Sequence, residues 1–376
     1  MRKQVLLITD ELYPVRGAPQ IRLRNIIKSL GGRAKLALGG VIDESAPPSA
    51  EYELISRPSE KQPIAFILFL LRLGFTAIRR ASSNSPAVVL LSVPKYELLL
   101  FAPFLKGRGR KLVLDFRDSL GFLDYGAYLS HFFPRGIAKP LGSVIHRFNA
   151  LLQCRALSSA HVVTVANQGI KDSISHPRVE LIPNGVDTEL FNPEGKQWFS
   201  GGRPLRVAYL GNFAEKDRFE WMAEAGRALP LELHLIGEGR NRSRVVESLN
   251  GLSVIEHGAV SHDRLPELLK QIDLGFIFRE EEANQSIPVC IFEYSAMNIP
   301  TLCNDTGLMA RFVGENNLGF VLRSVDELKE RLRELVREPG ELQRFSHLHE
   351  TARECFSLKN SERLFNRLFN ELLGSQ

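Results

Sequence analysis

Four short segments of this chain combine residue types suited to an anionic, oxygen-rich ligand. Asp115-Phe116-Arg117-Asp118 closes the apolar run Lys111–Asp115. Charges directly behind a buried strand stand at its carboxyl end, where a structural ion pair or a ligand must account for them. Gly211-Asn212-Phe213-Ala214-Glu215-Lys216 follows the run Leu205–Leu210. A glycine there lets backbone N–H groups approach a diphosphate, and the Lys216 ammonium can neutralise it; a solvated surface lysine is the alternative. Ser286-Ile287-Pro288 opens a helix over Ile291–Met297, and a helix N-terminus can receive phosphate. Gly17, between the first strand and a helix carrying Arg22, permits the same close approach, or serves an ordinary strand–helix turn. The nine histidines show no H-x3-H spacing, and no Asp-x-Asp pair stands at a strand end, so no metal site is indicated.

The elements that position these segments alternate. Strand-like runs occur at Gln4–Thr9, Ala87–Leu91, Lys111–Asp115, His161–Val165 and Val179–Ile182. A second series occurs at Leu205–Leu210, Glu232–Ile236, Leu252–His257, Leu274–Phe278 and Thr301–Asn304. Helical patterns such as Phe219–Leu229, Arg264–Gln271 and Val325–Arg337 lie between them. Continuously apolar strands separated by helices imply parallel sheets covered on both faces, and right-handed crossovers make each half doubly wound. The expected architecture is α/β: a Rossmann-like domain over 1–191, a Gly/Pro-rich linker over 192–203, a second Rossmann-like domain over 204–355, and a helix over 356–376 packing back on the first. Two such domains facing each other would hold ligands in a central cleft, at the carboxyl ends of their strands.

Composition narrows the classes. With 376 residues, 44% apolar and 24% charged, the chain can bury two cores, which excludes a disordered or fibrous protein. Four scattered cysteines without a CxxC pair fit a reducing compartment, and the short apolar run before Asp10 is not a secretory signal. The net charge of +5 is uneven. Residues 1–195 carry 25 basic and 16 acidic side chains (+9), and the remainder carries 23 and 27 (−4). A basic first half suggests an anionic partner, if the asymmetry is not chance. Pro63–Ile78 is apolar but short of the roughly 20 residues a spanning helix needs, and Arg72 interrupts it. It reads as a buried helix, or as one that also presses a basic edge to a membrane surface.

One string is more specific than these patterns. Leu181–Phe191, LIPNGVDTELF, closely resembles the IPNGVD…F signature of the glycogen-synthase-like (group 1, family 4) retaining glycosyltransferases of GT-B fold. Other landmarks appear in the family's order, from Gln4 to about Glu354. DFRD resembles the bacterial members' RD, which implies that Asp118 is catalytic and lies near the acceptor hydroxyl, with Arg117 and Arg22 on the acceptor side. Asn212 takes the position of a usual Arg, and Lys216 that of the diphosphate-binding Lys. Asn284–Pro300 resembles the SIPxKxxEY wording of a bacterial subgroup. Glu293 then matches the ribose-holding Glu, Gln285 replaces the first Glu of a Glu-x7-Glu pair, and Cys290 stands in the lysine position. Gly258-Ala259-Val260 resembles the loop whose backbone reads the base. Gly17, Gly211, Asn212, Lys216, Val260, Gln285, Ser286, Ile287, Pro288 and Glu293 are thus the implied donor-site residues.

The resemblance implies a metal-independent, hexosyltransferase-like enzyme needing no cofactor beyond its UDP- or GDP-linked sugar donor. The acceptor would be a glycan or lipid-linked intermediate of cell-surface polysaccharide synthesis. The expected location is cytoplasmic, with peripheral contact to the inner face of an anionic membrane. No aromatic-and-basic motif points to nucleic acid. A non-catalytic sugar-nucleotide or glycan-binding protein of the same fold, prompted by Asn212, Gln285 and Cys290, is the alternative, as is another GT-B enzyme such as a sugar-nucleotide epimerase.

Overall fold

The computed structural model describes residues 5–13, 18–30, 34–41, 52–58, 62–93, 95–107, 109–117, 125–130, 133–213, 217–227, 229–239, 241–280 and 287–374. Two compact units divide the chain: Met1–Asn184 with Ser361–Gln376, and Gly185–Asn360. Residues 185–203, expected as a domain end and a linker, belong to the second unit.

The first unit holds strands β1 (Val5–Tyr13), β2 (Ala34–Val41), β3 (Tyr52–Ser56), β4 (Val88–Val93), β5 (Lys111–Phe116), β6 (Val162–Val165) and β7 (Val179–Leu181). They form one sheet in the order β3-β2-β1-β4-β5-β6-β7, and every neighbouring pair is parallel. The second unit holds β8 (Leu205–Leu210), β9 (Leu231–Ile236), β10 (Ser253–Gly258), β11 (Leu274–Ile277), β12 (Thr301–Asn304) and β13 (Gly319–Leu322). Their order is β10-β9-β8-β11-β12-β13, again all parallel. Each is the doubly wound order, in which chain direction across the sheet reverses beside the first strand. That reversal opens a crevice beyond the carboxyl ends of β1 and β4 in one unit, and of β8 and β11 in the other.

Helices cover both faces, which is why strands such as β4 and β11 are buried along their whole length. One apolar layer joins Leu6, Ile8 and Leu91 of the first sheet to Phe69 and Leu73 of the Pro63–Asn84 helix. The opposite layer joins Val5, Leu7 and Val113 to Phe365 and Phe369 of the last helix, Leu358–Leu373. That helix is pinned further by Lys111 Nζ donating to the Leu372 carbonyl (2.8 Å) and by the forked Arg178–Glu371 pair. The last helix therefore completes the core of the unit that the first residues begin.

Candidate functional site

In the first unit the carboxyl end of the sheet is a buried charge cluster. Asp115, on β5, has no exposed surface. Arg22 reaches it from the Ala18–Ser29 helix with Nη2 2.7 Å from Oδ1 and Nε 3.1 Å from Oδ2. Thr164 of β6 donates to Oδ1 at 2.6 Å. Burial by itself would raise the Asp115 carboxyl, but the charge and hydrogen bonds of Arg22, then Thr164 and Arg117, outweigh it and hold the group below the usual carboxylate range. Arg22 also donates to the Ile182 carbonyl (2.6 Å) and Asn184 Oδ1 (3.3 Å), and its guanidinium lies over the Phe365 ring.

Arg22, expected on the acceptor side, is thus 3% exposed and committed to a tie between a helix, β5, the Ile182–Asn184 corner and the last helix. A guanidinium makes that tie because its fixed fork serves several acceptors at once. Arg117 is buried one step further along, with Nη2 3.7 Å from Asp10 Oδ1; Arg57 Nη2 stands 3.6 Å from Asp10 Oδ2 and 3.5 Å from Glu11 Oε2. Asp10 and Arg57 were not singled out from the sequence, although Asp10-Glu11 at the end of the first apolar run was the same kind of signal as DFRD. Gly17 and Asp118 lie outside the described residues.

The signature Leu181–Phe191 has a backbone explanation. A Cβ on Gly185 would overlap the Phe356 carbonyl oxygen. Val186 N donates to that oxygen (2.9 Å), and Leu358 N donates to the Val186 carbonyl (2.9 Å). Asp187 Oδ1 accepts from Glu189 N (3.1 Å), closing the turn that buries Phe191. In the first unit Ser361 Oγ donates to the Pro183 carbonyl (2.6 Å). The motif therefore secures the chain where it leaves one unit, alongside the segment by which it returns.

In the second unit the crevice between β8 and β11 is lined by turns. Gly211 N donates to the Ile236 carbonyl (3.0 Å), and Gly237 N to the Gly258 carbonyl (2.8 Å), so the ends of β8, β9 and β10 are laced together. Gly237 has φ +131°, and a Cβ there would overlap the Gly211 carbonyl oxygen. Glycine is required by both the angle and the contact. The Tyr209 hydroxyl stands 2.7 Å from the Asn212 carbonyl oxygen and from Asp217 Oδ2, so its single proton is shared between them. Burial, followed by the Asp217 charge, pushes that phenol far up, and it stays protonated. Arg279, two residues past β11, donates through Nε to Asp217 Oδ1 at 3.1 Å. Asn304, ending β12, accepts from Arg279 N (2.9 Å) and donates to the Arg279 carbonyl (2.7 Å) and Thr306 Oγ1 (3.0 Å).

The Tyr209–Asp217–Arg279–Asn304 chain was not anticipated from the sequence. An arginine directly behind the buried run Leu274–Phe278 was the available signal. Arg279 is a half-buried cation at the strand end whose neighbouring loop has Asn212 where the resemblance expects Arg.

The Val289–Ala296 helix opens behind Pro288 and is locked to the sheet by Tyr294, whose hydroxyl donates to the Ala208 carbonyl (3.0 Å). Glu293, 6% exposed, receives a contact from His262 Nε2 at 3.1 Å on Oε1, and the His262 ring packs 4.9 Å from Phe191. Val260 and Ile287 pack on one apolar cluster with Leu210 and Cys290. Burial, then the nearby Glu293 charge, pushes the Cys290 thiol up to about 12, which leaves it a neutral, inert thiol. The fold thus gathers Gly211, Asn212, Val260, Ile287, Pro288 and Glu293 in one unit, with Arg279 added; Lys216, Gln285 and Ser286 lie outside the described residues.

Residues 204–338 match the family model described as glycosyl transferases group 1. No curated protein matches the sequence. Anabaena HepE, solved in complex with UDP and glucose, superposes with a TM-score of 0.67 at 16% identity, covering 100% of each chain. The chain has the GT-B glycosyltransferase fold. A glycosyltransferase from Rickettsia africae gives a TM-score of 0.67 at 13% identity over 100% of each chain. WaaG, a glycosyltransferase involved in lipopolysaccharide biosynthesis, gives 0.67 at 14% identity over 97% of this chain and 99% of its own. Among the described residues no helix is long and apolar enough to cross a membrane.

Proposed function

We propose that this GT-B protein transfers a sugar, with retention and without a metal ion, from a nucleotide-sugar donor to a glycan or lipid-linked acceptor of cell-surface polysaccharide synthesis. It would work at the cytoplasmic face of an anionic membrane. The observation that carries this reading is the β8–β11 crevice of the second unit, which lies within the group 1 glycosyl transferase match. The UDP and UDP-glucose complexes of Anabaena HepE, of the same fold, support UDP as the nucleotide.

Each feature of the crevice has a use in that chemistry. The carbon–oxygen bond to the diphosphate breaks, and the leaving diphosphate gains charge. The backbone N–H of Asn212 behind Gly211, the Arg279 guanidinium, the Lys216 ammonium and the positive end of the Val289–Ala296 helix would stabilise that charge. Glu293, with one oxygen held by His262, offers the other to a ribose hydroxyl. Val260 would lie against the base. Asp118 would orient the acceptor hydroxyl, and the basic first unit would meet an anionic carrier.

Calorimetry with UDP-, GDP-, ADP- and dTDP-sugars tests the donor site. Binding of a UDP-sugar is expected, weakened by at least about tenfold in Glu293→Ala, the usual loss for a hydrogen bond to a charged group. Asp118→Ala should keep that affinity and lose turnover. Equal affinity in wild type and Glu293→Ala would remove the ribose role. Binding with no sugar transfer to any glycan or lipid-linked acceptor would favour the non-catalytic alternative.

A further inference from the structure

Twelve of the fifteen large apolar side chains exposed among the described residues belong to three neighbouring helical segments of the first unit. Five lie on the Pro63–Asn84 helix, two on 96–105 and five on the Arg135–Ser159 helix. These segments cover the same face of the sheet, since Leu73, Leu98, Ala102 and Leu152 share one core layer beneath them. Their outer sides therefore look the same way. Phe75, 64% exposed, meets Phe101 edge-on at 5.6 Å and joins the first segment to the second.

The spacing is regular. On the first helix Ile64, Ile67, Leu68, Leu71 and Phe75 make one outward stripe, opposite the buried Phe66, Phe69, Leu70 and Leu73. On the third, Ile137, Leu141, Val144, Phe148 and Leu151 repeat at three- and four-residue steps. Surface helices of soluble domains bury one apolar stripe and solvate the other side. These two carry a second stripe that no other described residue covers, and contiguous exposed apolar surface of this kind marks an interaction site.

The charges interleaved with the stripes identify the occupant. Arg72, Arg79, Lys106, Lys139, Arg147 and Arg155 are exposed on or beside these segments. Neither long helix contains an Asp or Glu, and Glu97 of the middle segment is half-buried with Asn149 Nδ2 3.3 Å from its Oε1. A second copy of the chain would bring six cations against six cations. Nucleic acid would use the cations and leave the aliphatic stripes wet. An anionic bilayer uses both: acyl boundary for the stripes and lipid phosphate for the cations, whose stems lie along the apolar surface.

We propose that this three-helix face of the first unit is a docking surface for an anionic lipid bilayer, lying on the headgroup layer and not crossing it. It deepens the membrane part of the reading above by naming the surface and the lipid chemistry, and it stands apart from the donor-site reading.

Vesicle flotation of the full chain tests it. Phosphatidylcholine vesicles are compared with vesicles that also contain phosphatidylglycerol. Two double variants at exposed positions, Ile67→Ser with Phe148→Ser and Arg72→Glu with Arg147→Glu, separate the apolar from the charged contribution, with thermal unfolding checking the fold. Wild type should float with the anionic vesicles only, and each double variant should lose at least about tenfold in partition. Calorimetric affinity for UDP-glucose should be the same in all three proteins. Loss of donor binding with flotation intact would refute the donor reading and leave this surface standing. The proposal fails if wild type stays at the bottom with both vesicles, floats equally with both, or floats unchanged in either double variant. It also fails if wild type instead dimerises through a contact that the serine variant abolishes.

Discussion

Asp115 shows how much one buried residue can carry. Its carboxylate takes two nitrogens of the Arg22 guanidinium and the Thr164 hydroxyl, and it has no exposed surface. Removing one partner of such a pair leaves the other buried and unmatched, which typically costs about 3–5 kcal/mol. Asp115→Asn should lower stability by that order, read as a shift in urea midpoint at neutral pH. The pH dependence follows from the direction of the shift. The folded carboxyl is held below its unfolded value of about 4, so its contribution is complete above that pH and disappears as pH falls through the folded value. Wild type should lose stability on acidification through that range, and Asp115→Asn should lose less. DFRD was legible as a charged strand end, with a ligand role and a structural ion pair both open to it. Its two described charges, Asp115 and Arg117, prove buried among partners, and only a partner 93 residues away in sequence, Arg22, explains Asp115.

At the scale of elements, the strand ends of the second unit fit so closely that a single carbon is excluded. Gly237→Ala would place a Cβ into the Gly211 carbonyl at a backbone angle that alone costs about 1–3 kcal/mol. We expect a destabilised protein in which donor affinity falls with the displaced Gly211 turn, measured by denaturant titration and calorimetry on the same sample. The alternation predicted β8 and β12 with their observed ends; β8 is apolar at all positions but Arg206, and β12 is buried throughout. β2, β3 and β13 were not anticipated. The sequence of β2 ends in Gly-Gly-Val, β3 contains Glu53, and β13 has only four residues. Such strands form because a neighbouring strand offers hydrogen bonds, a reason that local pattern does not contain.

For the whole molecule, the last sixteen residues are not an appendage. Phe365, Leu368, Phe369 and Leu372 fill the layer behind Val5, Leu7 and Val113. Phe369→Ala should cost about 3–5 kcal/mol, the range for a large aromatic lost from a core. Removal of residues 361–376 should leave the first unit unable to fold, visible as lost helical signal and a missing unfolding transition. Survival of that transition would show the first unit to be self-sufficient without its closing helix.

By itself the sequence determined the alternation of strand and helix, and hence two doubly wound halves, because apolar periodicity is set within a few residues. It also supplied the motif string that pointed to the GT-B fold. Tertiary structure alone decided which charges meet. Arg22 with Asp115 and Asp217 with Arg279 are pairs separated by 93 and 62 residues, brought together by sheet order. It also decided which apolar side of the Pro63–Asn84 helix is buried. Both sides of that helix are apolar, so periodicity could not choose between them; the sheet beneath chose, and left the other facing outward with its arginines.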